Sequence, residues 1–501
     1  MDVDRVVGYF KGKSILITGS TGFLGKVLVE KILRVQPDVK KLFLLIRASD
    51  VESVKFRIHN EIMGKQIFQV LKEKHGLEFD NFVKEKICPL VGDVMHENFG
   101  LDTVKLREVS KDIDVIINGA ATTNFSERYD VAFDTNVLGV KHTCEFAKKC
   151  TKLKMLLHVS TGANQYNYIS YVAGEKEGLI TEKTFLMGET LRVGTHLDIE
   201  IELNLIKDTK RELRASSSTE KAERKTMKEL GLKRARNFGW PNTYLFTKAM
   251  GEMMIGHLRG DVPVVIIRPS IITSTIKEPL PGWIEGIRTV DTVIMGHAKQ
   301  TLPFFVINLD LTLDMIPGDM VVNAMMAAMA AHSEDHQAQI IYHVTSSVRN
   351  PTPSSLVIDS MHRYFVENPP CKGRNGERVR LKKMRIFSTL ARLRLYTAIK
   401  YELPLEMLRL LSIALCGVFS RRYNELNRKY RFLMHMIELY APFALFKGCF
   451  DDTNLERLRM AMNKDDQINN GAYSLDFDPK SIHWVDYFYG VHIPGVLKYC
   501  V

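Results

Sequence analysis

A tyrosine and a lysine four residues apart, Tyr244 and Lys248, could together deliver a proton to a carbonyl group that is being reduced. Four residues are about one helical turn, so the two side chains share a helix face. The charge of such a lysine makes a phenol a better general acid, and its amine also reaches a cofactor ribose. A hydroxyl that polarises the carbonyl is expected from Ser160 or Thr161, which close a predicted strand. The alternative role of these hydroxyls is a strand-end cap.

Spacing alone does not single out Tyr244, because Tyr9 with Lys13 and Tyr396 with Lys400 have the same spacing. Position separates the three pairs. Tyr9 precedes the first strand, and Tyr396 lies in a basic C-terminal region. Only Tyr244 lies between the fifth predicted strand and the next one, where its helix would flank a nicotinamide.

The segment 18–25 places three glycines between a short β-branched run and a helical pattern. Gly19 suits a tight strand-to-helix turn, Gly22 a close approach of backbone to pyrophosphate, and Gly25 close packing of the helix. The helix N-terminus then offers free N–H groups to phosphates. A mere tight turn is the alternative. The cofactor-binding residues predicted here are Thr18, Gly19, Thr21, Gly22, Phe23, Leu24 and Gly25.

The second predicted strand ends at Arg47, and the nearest acid is Asp50. An arginine at this point accommodates the 2′-phosphate of NADP, whereas NAD sites use an acid on the ribose. The sequence therefore favours NADPH. Asp93 after the third strand suits the adenine amino group, and Ala120 after the fourth gives a small residue beside the cofactor. Asn136 is a candidate for ordering a proton relay, with helix packing as its alternative.

Short apolar runs alternate with helical patterns through the first 350 residues, which predicts an α/β fold with a doubly wound parallel sheet. The segment 182–237 is charged and helical and interrupts the alternation as an insertion. A boundary is expected between residues 350 and 365, giving a reductase-type domain at 1–355 and a helical domain at 356–501. The predicted strands are 14–18, 42–46, 87–91, 115–118, 155–160, 262–268 and 340–344.

The composition is that of a globular protein, with 45% apolar and 25% charged residues in 501. It excludes a collagen-like, low-complexity or wholly disordered chain. The cysteines show no C-x-x-C spacing, and no metal site is predicted. The chain opens with a polar stretch and its first strand begins near residue 14, so neither a signal peptide nor a plastid transit peptide is expected.

Most of the net charge of +11 lies in one stretch, because residues 371–400 hold ten Lys or Arg and one acid. A basic patch attracts a polyanion, which could be a nucleic acid, an anionic membrane or a phosphorylated substrate. Only two aromatics, Phe387 and Tyr396, accompany the charges, which argues against nucleic-acid binding. Within the basic and apolar segment 371–422, a basic amphipathic helix on a membrane is expected over 385–395, with a core helix that has a solvated face as the alternative. Its apolar residues Ile386, Phe387, Leu390, Leu393 and Leu395 interleave with Arg385, Arg392 and Arg394.

These motifs resemble the alcohol-forming fatty acyl-CoA reductases of the plant type, over nearly the whole chain. The glycine loop alone matches many extended short-chain reductases, whereas the lead into Tyr244 and the segment near the C-terminus are far more specific. One departure is the segment 163–170, which adds about eight residues after Thr161, and loops accept such insertions. The segments that carry the resemblance are 18–25, 31–37, 44–49, 120–125, 239–248, 267–270, 281–285 and 446–452.

The resemblance implies reduction of a long-chain acyl-CoA by NADPH to an aldehyde and then to a primary alcohol, for wax or lipid synthesis. It assigns the chemistry to Tyr244 and Lys248, with Ser160 or Thr161 assisting. It suggests the cytosolic face of the endoplasmic reticulum or the cytoplasm. The alternatives are a reductase that releases aldehyde, a sugar-nucleotide epimerase or dehydratase, and a lipid-binding protein without activity.

Overall fold

The computed structural model describes residues 1–162, 178–332, 339–369, 371–372, 377–378, 381–462 and 475–500. Two compact units share the chain. The first contains residues 1–285, 314–350 and 448–482, and the second contains 286–313, 351–447 and 483–501. The chain passes between the two units several times, and its passage between Asn350 and Pro351 falls within the range expected for the boundary. The two units are not the contiguous segments 1–355 and 356–501, because 286–313 belongs to the second unit and 448–482 to the first.

The described elements comprise short and long helices interspersed with fifteen strands. The strands are β1 (Ser14–Thr18), β2 (Lys41–Ile46), β3 (Ile87–Val91), β4 (Val115–Asn118), β5 (Met155–Val159), β6 (Leu179–Ile180), β7 (Val264–Pro269), β8 (Ile271–Thr273), β9 (Phe304–Val306), β10 (Met315–Pro317), β11 (Gln339–Val344), β12 (Cys371–Lys372), β13 (Glu377–Arg378), β14 (Arg385–Phe387) and β15 (Cys449–Phe450). The α-helices are α1 (Val3–Tyr9), α2 (Phe23–Val35), α3 (Val51–Arg57), α4 (Gln69–His75), α5 (Phe79–Lys86), α6 (Thr103–Asp112), α7 (Tyr129–Phe133), α8 (Gly139–Lys149), α9 (Ile199–Ala215), α10 (Glu220–Asn237), α11 (Thr243–Leu258), α12 (Thr289–Ala298), α13 (Gly318–Ala331), α14 (Ser354–Glu367), α15 (Leu390–Thr397), α16 (Leu403–Ala414), α17 (Ser420–Ala444), α18 (Thr453–Ala461), α19 (Trp484–Asp486) and α20 (Ile493–Tyr499).

The first unit is built on a seven-stranded parallel sheet in the order β3-β2-β1-β4-β5-β7-β11. All seven predicted strands are present, with ends that shift by at most two residues, so the predicted doubly wound α/β fold is confirmed. The strand order reverses between β1 and β4. In such sheets, ligands bind outside the carboxyl ends of the strands at this switch point.

The strands of this sheet are buried on both faces, as is usual where helices cover a parallel sheet. Leu16, Ile116 and Leu156 point to one face and pack in a common core cluster. Their neighbours Ile117 and Leu157 are buried as well, on the opposite face. Continuous β-branched and aliphatic runs therefore fix the sheet, and its rigid strand ends position the side chains that follow them.

The predicted insertion contains two helices, α9 and α10, joined by an exposed turn at 216–218. Thr219 caps α10 by accepting a hydrogen bond from the backbone N–H of Ala222. The helical prediction was too broad at its start, since residues 182–198 form no helix before Asp198 caps α9. This part contains two glycines with positive φ, Gly188 and Gly194, which favour turns over helix.

The second unit is mainly helical, but the basic stretch does not begin with a helix. Arg385–Phe387 forms strand β14, which pairs in parallel with β9. The predicted amphipathic helix was therefore wrong at Ile386 and Phe387, and α15 begins only after Thr389 caps it. Isoleucine and phenylalanine favour a strand where a partner is available. Among the described helices, none combines the length and apolar character needed to cross a bilayer.

Candidate active site

The glycine loop forms a cradle at the end of β1, and two of its glycines leave no room for a side chain. Gly19 has a φ of +75°, and a Cβ on it would lie 2.6 Å from the backbone of Gly119. Gly22 caps α2, and a Cβ on Gly25 would collide with the backbone of Gly19 and Ser20. Gly25 thus lets the helix pack on the loop itself. The first-turn N–H groups of α2 lie beside this narrow gap, which fits a pyrophosphate.

The other predicted residues of this loop divide into backbone and side-chain roles. Thr18 is buried, donates from Oγ1 to Asn118 Oδ1 at 2.8 Å and accepts from the Ala120 N–H at 3.1 Å. Its side chain therefore joins β1 to the loop after β4. The ring of Phe23 stacks on Trp283, with centroids 5.3 Å apart. Thr21 and Leu24 are half-buried in the loop and the first turn of α2.

At the end of β2, Arg47 is exposed and Asp50 is already engaged. Asp50 caps α3 by accepting from the Ser53 N–H, and it accepts from Ser49 Oγ as well, both at 2.8 Å. The capping hydrogen bonds lower the pKa of Asp50. Asp50 is thus held at the start of α3, and Arg47 is the exposed charged side chain that directly follows β2.

Asp93 and Asn136 lie on either side of the switch point. Asp93 follows β3 and accepts from the Met95 N–H at 3.0 Å. Asn136 lies in a π-helical turn, where its amide oxygen accepts from the Thr122 N–H at 3.1 Å and its nitrogen donates to Thr247 Oγ1 at 2.9 Å. Asn136 thus links the loop after β4 to the residue before Lys248, which supports the packing alternative for its role.

The residues that lead into α11 fix where this helix starts. Gly239 has a φ of +97°, and a Cβ there would lie 2.9 Å from Leu191 Cβ. Trp240 is fully buried and packs against Phe246, with ring centroids 5.3 Å apart. Asn242 caps the helix by accepting from the Leu245 N–H at 3.0 Å. These local preferences place Tyr244 in the first turn of α11.

Tyr244 and Lys248 lie one turn apart on α11, as the sequence predicts. The Tyr244 ring stacks on Phe125, with centroids 5.6 Å apart. Lys248 is 1% exposed, and its Nζ donates to the Val159 carbonyl at 2.8 Å, at the end of β5. Burial lowers the pKa of Lys248 to about 8, while the nearby Glu252 carboxylate raises it. The lysine is thus held at the strand end with its charge sensitive to mild alkali.

The two candidate hydroxyls differ in what they contact. Ser160 is buried and donates a short hydrogen bond from Oγ to Glu252 Oε1, while its N–H donates to the Ile267 carbonyl at 2.7 Å. Thr161 is only half-buried at the end of the same strand. The structure therefore ties the Ser160 hydroxyl to the interior, and Thr161 is the better candidate for contact with a carbonyl. The segment 163–170 that follows lies outside the described residues.

The competing tyrosine–lysine pairs lack a comparable setting. Burial raises the pKa of Tyr9 far above its usual value, which opposes proton release. Tyr396 lies in the second unit, where its ring packs on Phe304 and Phe387, and Lys400 lies over that ring at 5.4 Å. Neither pair lies on a helix that connects two strands of the seven-stranded sheet, as α11 does.

Two family models, both described as male sterility protein, match this chain at residues 17–325 and 400–501, the first being an NAD-binding model. Fatty acyl-CoA reductase 1 of Arabidopsis thaliana is 47% identical, and its alignment covers 98% of both chains. The alcohol-forming fatty acyl-CoA reductase of Simmondsia chinensis is 43% identical over 99% of both chains.

The chain belongs to the fatty acyl-CoA reductase family. The resemblance seen in its motifs is confirmed, and the protein is an oxidoreductase that uses a nicotinamide cofactor. Among solved structures, the terminal R domain of the myxalamid pathway is similar in fold, with a TM-score of 0.57, 17% identity and coverage of 99% of this chain and 95% of the other.

Sequence reasoning missed a buried polar network behind the site of this acyl-CoA reductase. Glu252 is 1% and Arg268 0% exposed at the side chain, and Arg268 Nε donates to Glu252 Oε1 at 3.0 Å. Arg268 Nη1 lies 3.2 Å from His343 Nε2. The signal was available in part, because Tyr244, Lys248 and Glu252 recur at intervals of four residues. The other members of the network, Arg268 on β7 and His343 on β11, can be identified only once the order of the strands in the sheet is known.

Proposed function

We propose that this protein reduces long-chain fatty acyl-CoA to primary fatty alcohol and CoA with NADPH, through an aldehyde. One observation carries the proposal: Lys248 is buried against the end of β5, one turn from Tyr244, in the same sheet that presents the glycine cradle. The high identity to named fatty acyl-CoA reductases over nearly the whole chain supports the substrate class and argues against a sugar nucleotide.

The chain's own groups suit both reduction steps. When bound, the reduced nicotinamide supplies the hydride. Thr161 donates a hydrogen bond to the thioester carbonyl, and Tyr244 gives the forming alkoxide its proton. The resulting hemithioacetal expels the CoA thiol, which takes the hydroxyl proton, and leaves an aldehyde. After Tyr244 has regained a proton from solvent, the same two groups serve the aldehyde carbonyl, and its reduction at the expense of a second NADPH gives the alcohol.

The four-electron course is tested by stoichiometry. Complete reduction consumes two NADPH for each CoA released, whereas a reductase that releases aldehyde consumes one. We expect the ratio of NADPH oxidised to CoA thiol formed to be two at saturating NADPH. A ratio of one, with aldehyde accumulating, contradicts the proposed product and supports the aldehyde-releasing alternative.

The preference for NADPH is proposed to depend on Arg47. An ionic hydrogen bond to the 2′-phosphate is worth about 1.5–3 kcal/mol, or roughly 10- to 100-fold in affinity. Replacing Arg47 by Asp should therefore lower the ratio of kcat/KM for NADPH to that for NADH by at least this factor. Because a general loss of activity lowers kcat/KM for both cofactors alike, it cancels in this ratio. An unchanged ratio contradicts the role of Arg47.

We also propose that the second unit attaches to a membrane through an apolar stripe, defined as the exposed apolar residues of 395–418. Leu395, Ile399, Leu403, Met407 and Leu411 recur at helical spacing, and each is at least 51% exposed. Exposed basic residues accompany the stripe, and each contributes about 1 kcal/mol near an anionic surface. They are Arg392, Lys400, Arg421 and Arg422. The substrates and products partition into bilayers, which favours the cytosolic face of the endoplasmic reticulum.

Flotation with vesicles that contain anionic lipid tests the stripe. The wild type should float, and Met407→Glu/Leu411→Glu should stay at the bottom, because two charges would enter the apolar layer. Leu77→Glu is the matched control, since Leu77 is fully exposed in the first unit and lies outside the stripe. Flotation of the double variant at the wild-type level contradicts attachment through these residues.

A further inference from the structure

A row of buried, hydrogen-bonded polar side chains runs from the glycine loop to Lys248. Thr18 Oγ1 lies 2.8 Å from Asn118 Oδ1, and Asn118 Nδ2 lies 3.2 Å from His158 Nδ1. His158 Nε2 in turn lies 3.4 Å from Lys248 Nζ. All four side chains are at most 2% exposed. This row therefore connects the Lys248 amine to the protein interior.

Lys248 has few partners that could stabilise its charge. Its described contacts are the Val159 carbonyl and the His158 ring. The charged and titratable groups around it are Glu252 on its own helix, His158 on β5 and Arg268 on β7, which acts on the ring. Burial and the nearby Lys248 and Arg268 hold the pKa of His158 well below its usual range, so the ring is neutral.

We propose that His158, backed by Asn118, is a positioning residue that holds the Lys248 amine in both of its protonation states. A charged ammonium donates to Nε2, which requires the ring proton on Nδ1 and the amide oxygen of Asn118 facing it. A neutral amine accepts from Nε2–H, and then Asn118 Nδ2 donates to Nδ1. The two amide orientations have the same shape, and in the one whose oxygen faces His158 Asn118 Nδ2 donates to Thr18 Oγ1, so the row adjusts by turning one amide and one hydroxyl.

This inference rests on the proposed role of Tyr244 and Lys248 and extends it to a residue outside the reacting pair. His158 fixes the position of the Lys248 amine relative to the helical turn that bears Tyr244. As a hydrogen-bond acceptor it also stabilises the ammonium form, so its removal lowers the pKa of Lys248 further. Proton donation by Tyr244 should then be lost at a lower pH than in the wild type.

Three substitutions of His158 separate this role from mere packing. Glutamine keeps a polar group near the Nε2 position, asparagine keeps one near Nδ1, and leucine keeps neither. We expect His158→Gln to retain kcat within about threefold, and His158→Asn and His158→Leu to lose about tenfold or more, with KM for acyl-CoA little changed. The alkaline limb of kcat should move to lower pH in the asparagine and leucine variants only.

Equal activity of the asparagine and glutamine variants, or unchanged alkaline limbs, would overturn the proposal. If the wild type reduces no acyl-CoA, the proposed function fails, and the unfolding midpoint in urea at different pH values still tests His158. A lysine whose folded pKa is lowered destabilises the fold below that pKa, and the penalty disappears as pH rises towards 10.5. The asparagine variant should therefore lose more stability relative to glutamine at pH 7 than at pH 10.5, and a pH-independent difference contradicts the inference.

Discussion

Replacing Tyr244 by phenylalanine should lower kcat by roughly 10²- to 10⁴-fold, the range that a positioned general acid contributes. The ring is retained and can still stack on Phe125, so folding and substrate binding should persist. We therefore expect KM for acyl-CoA and the affinity for NADPH to change by less than about threefold. Steady-state kinetics with an acyl-CoA and NADPH, together with circular dichroism, measure both parts of this expectation.

The matched control is Tyr396→Phe, because Tyr396 also precedes a lysine by four residues but lies in the second unit. This variant should keep nearly full activity. A Tyr244→Phe variant with more than about a tenth of wild-type kcat would show that another group supplies the proton.

Replacing Glu252 by leucine should have the largest effect on stability. It would leave the Arg268 guanidinium, which is 0% exposed, without its carboxylate. Breaking a buried ion pair in this way costs about 3–5 kcal/mol in the free energy of unfolding. The substitution also removes the acceptor of the Ser160 hydroxyl, so the end of β5 should loosen along with β7. Urea unfolding followed by tryptophan fluorescence measures the change.

The double variant Glu252→Leu/Arg268→Met should recover much of the lost stability, because the Arg268 charge is no longer left without its carboxylate. Glu229→Leu is the control, since it removes the carboxylate of an exposed pair with Lys225 on α10 and should cost less than about 1 kcal/mol. A loss below about 1 kcal/mol for Glu252→Leu would mean that water or another carboxylate compensates Arg268.

The sequence predicted the sheet well because its strands are buried on both faces. A short aliphatic run such as Ile15, Leu16 and Ile17, placed between a turn and a glycine loop, is typical of a buried strand. The same holds for the start of α11, where a buried tryptophan and an asparagine cap fix the position of Tyr244. The choice among three tyrosine–lysine pairs followed from this order of elements.

The details that sequence reasoning left open or missed depend on contacts between distant segments. The sequence alone does not distinguish the roles of Ser160 and Thr161. Only the position of Glu252 on α11 shows that the serine hydroxyl points inward. The pairing of β14 with β9 joins segments about 80 residues apart, for which local preference gives no signal. The π-helical turn at Asn136 lies against Gly251 of α11, a contact between segments more than 100 residues apart.

The four-electron reaction and the role of Tyr244 are tested together by identifying the product formed from long-chain acyl-CoAs and NADPH deuterated at the transferred position. We expect a primary alcohol with two deuterium atoms on C1, together with free CoA, and formation of both at least about 100-fold more slowly by Tyr244→Phe. An aldehyde with one deuterium as the only product would contradict the four-electron reaction. Undiminished alcohol formation by Tyr244→Phe would contradict the assignment of the site.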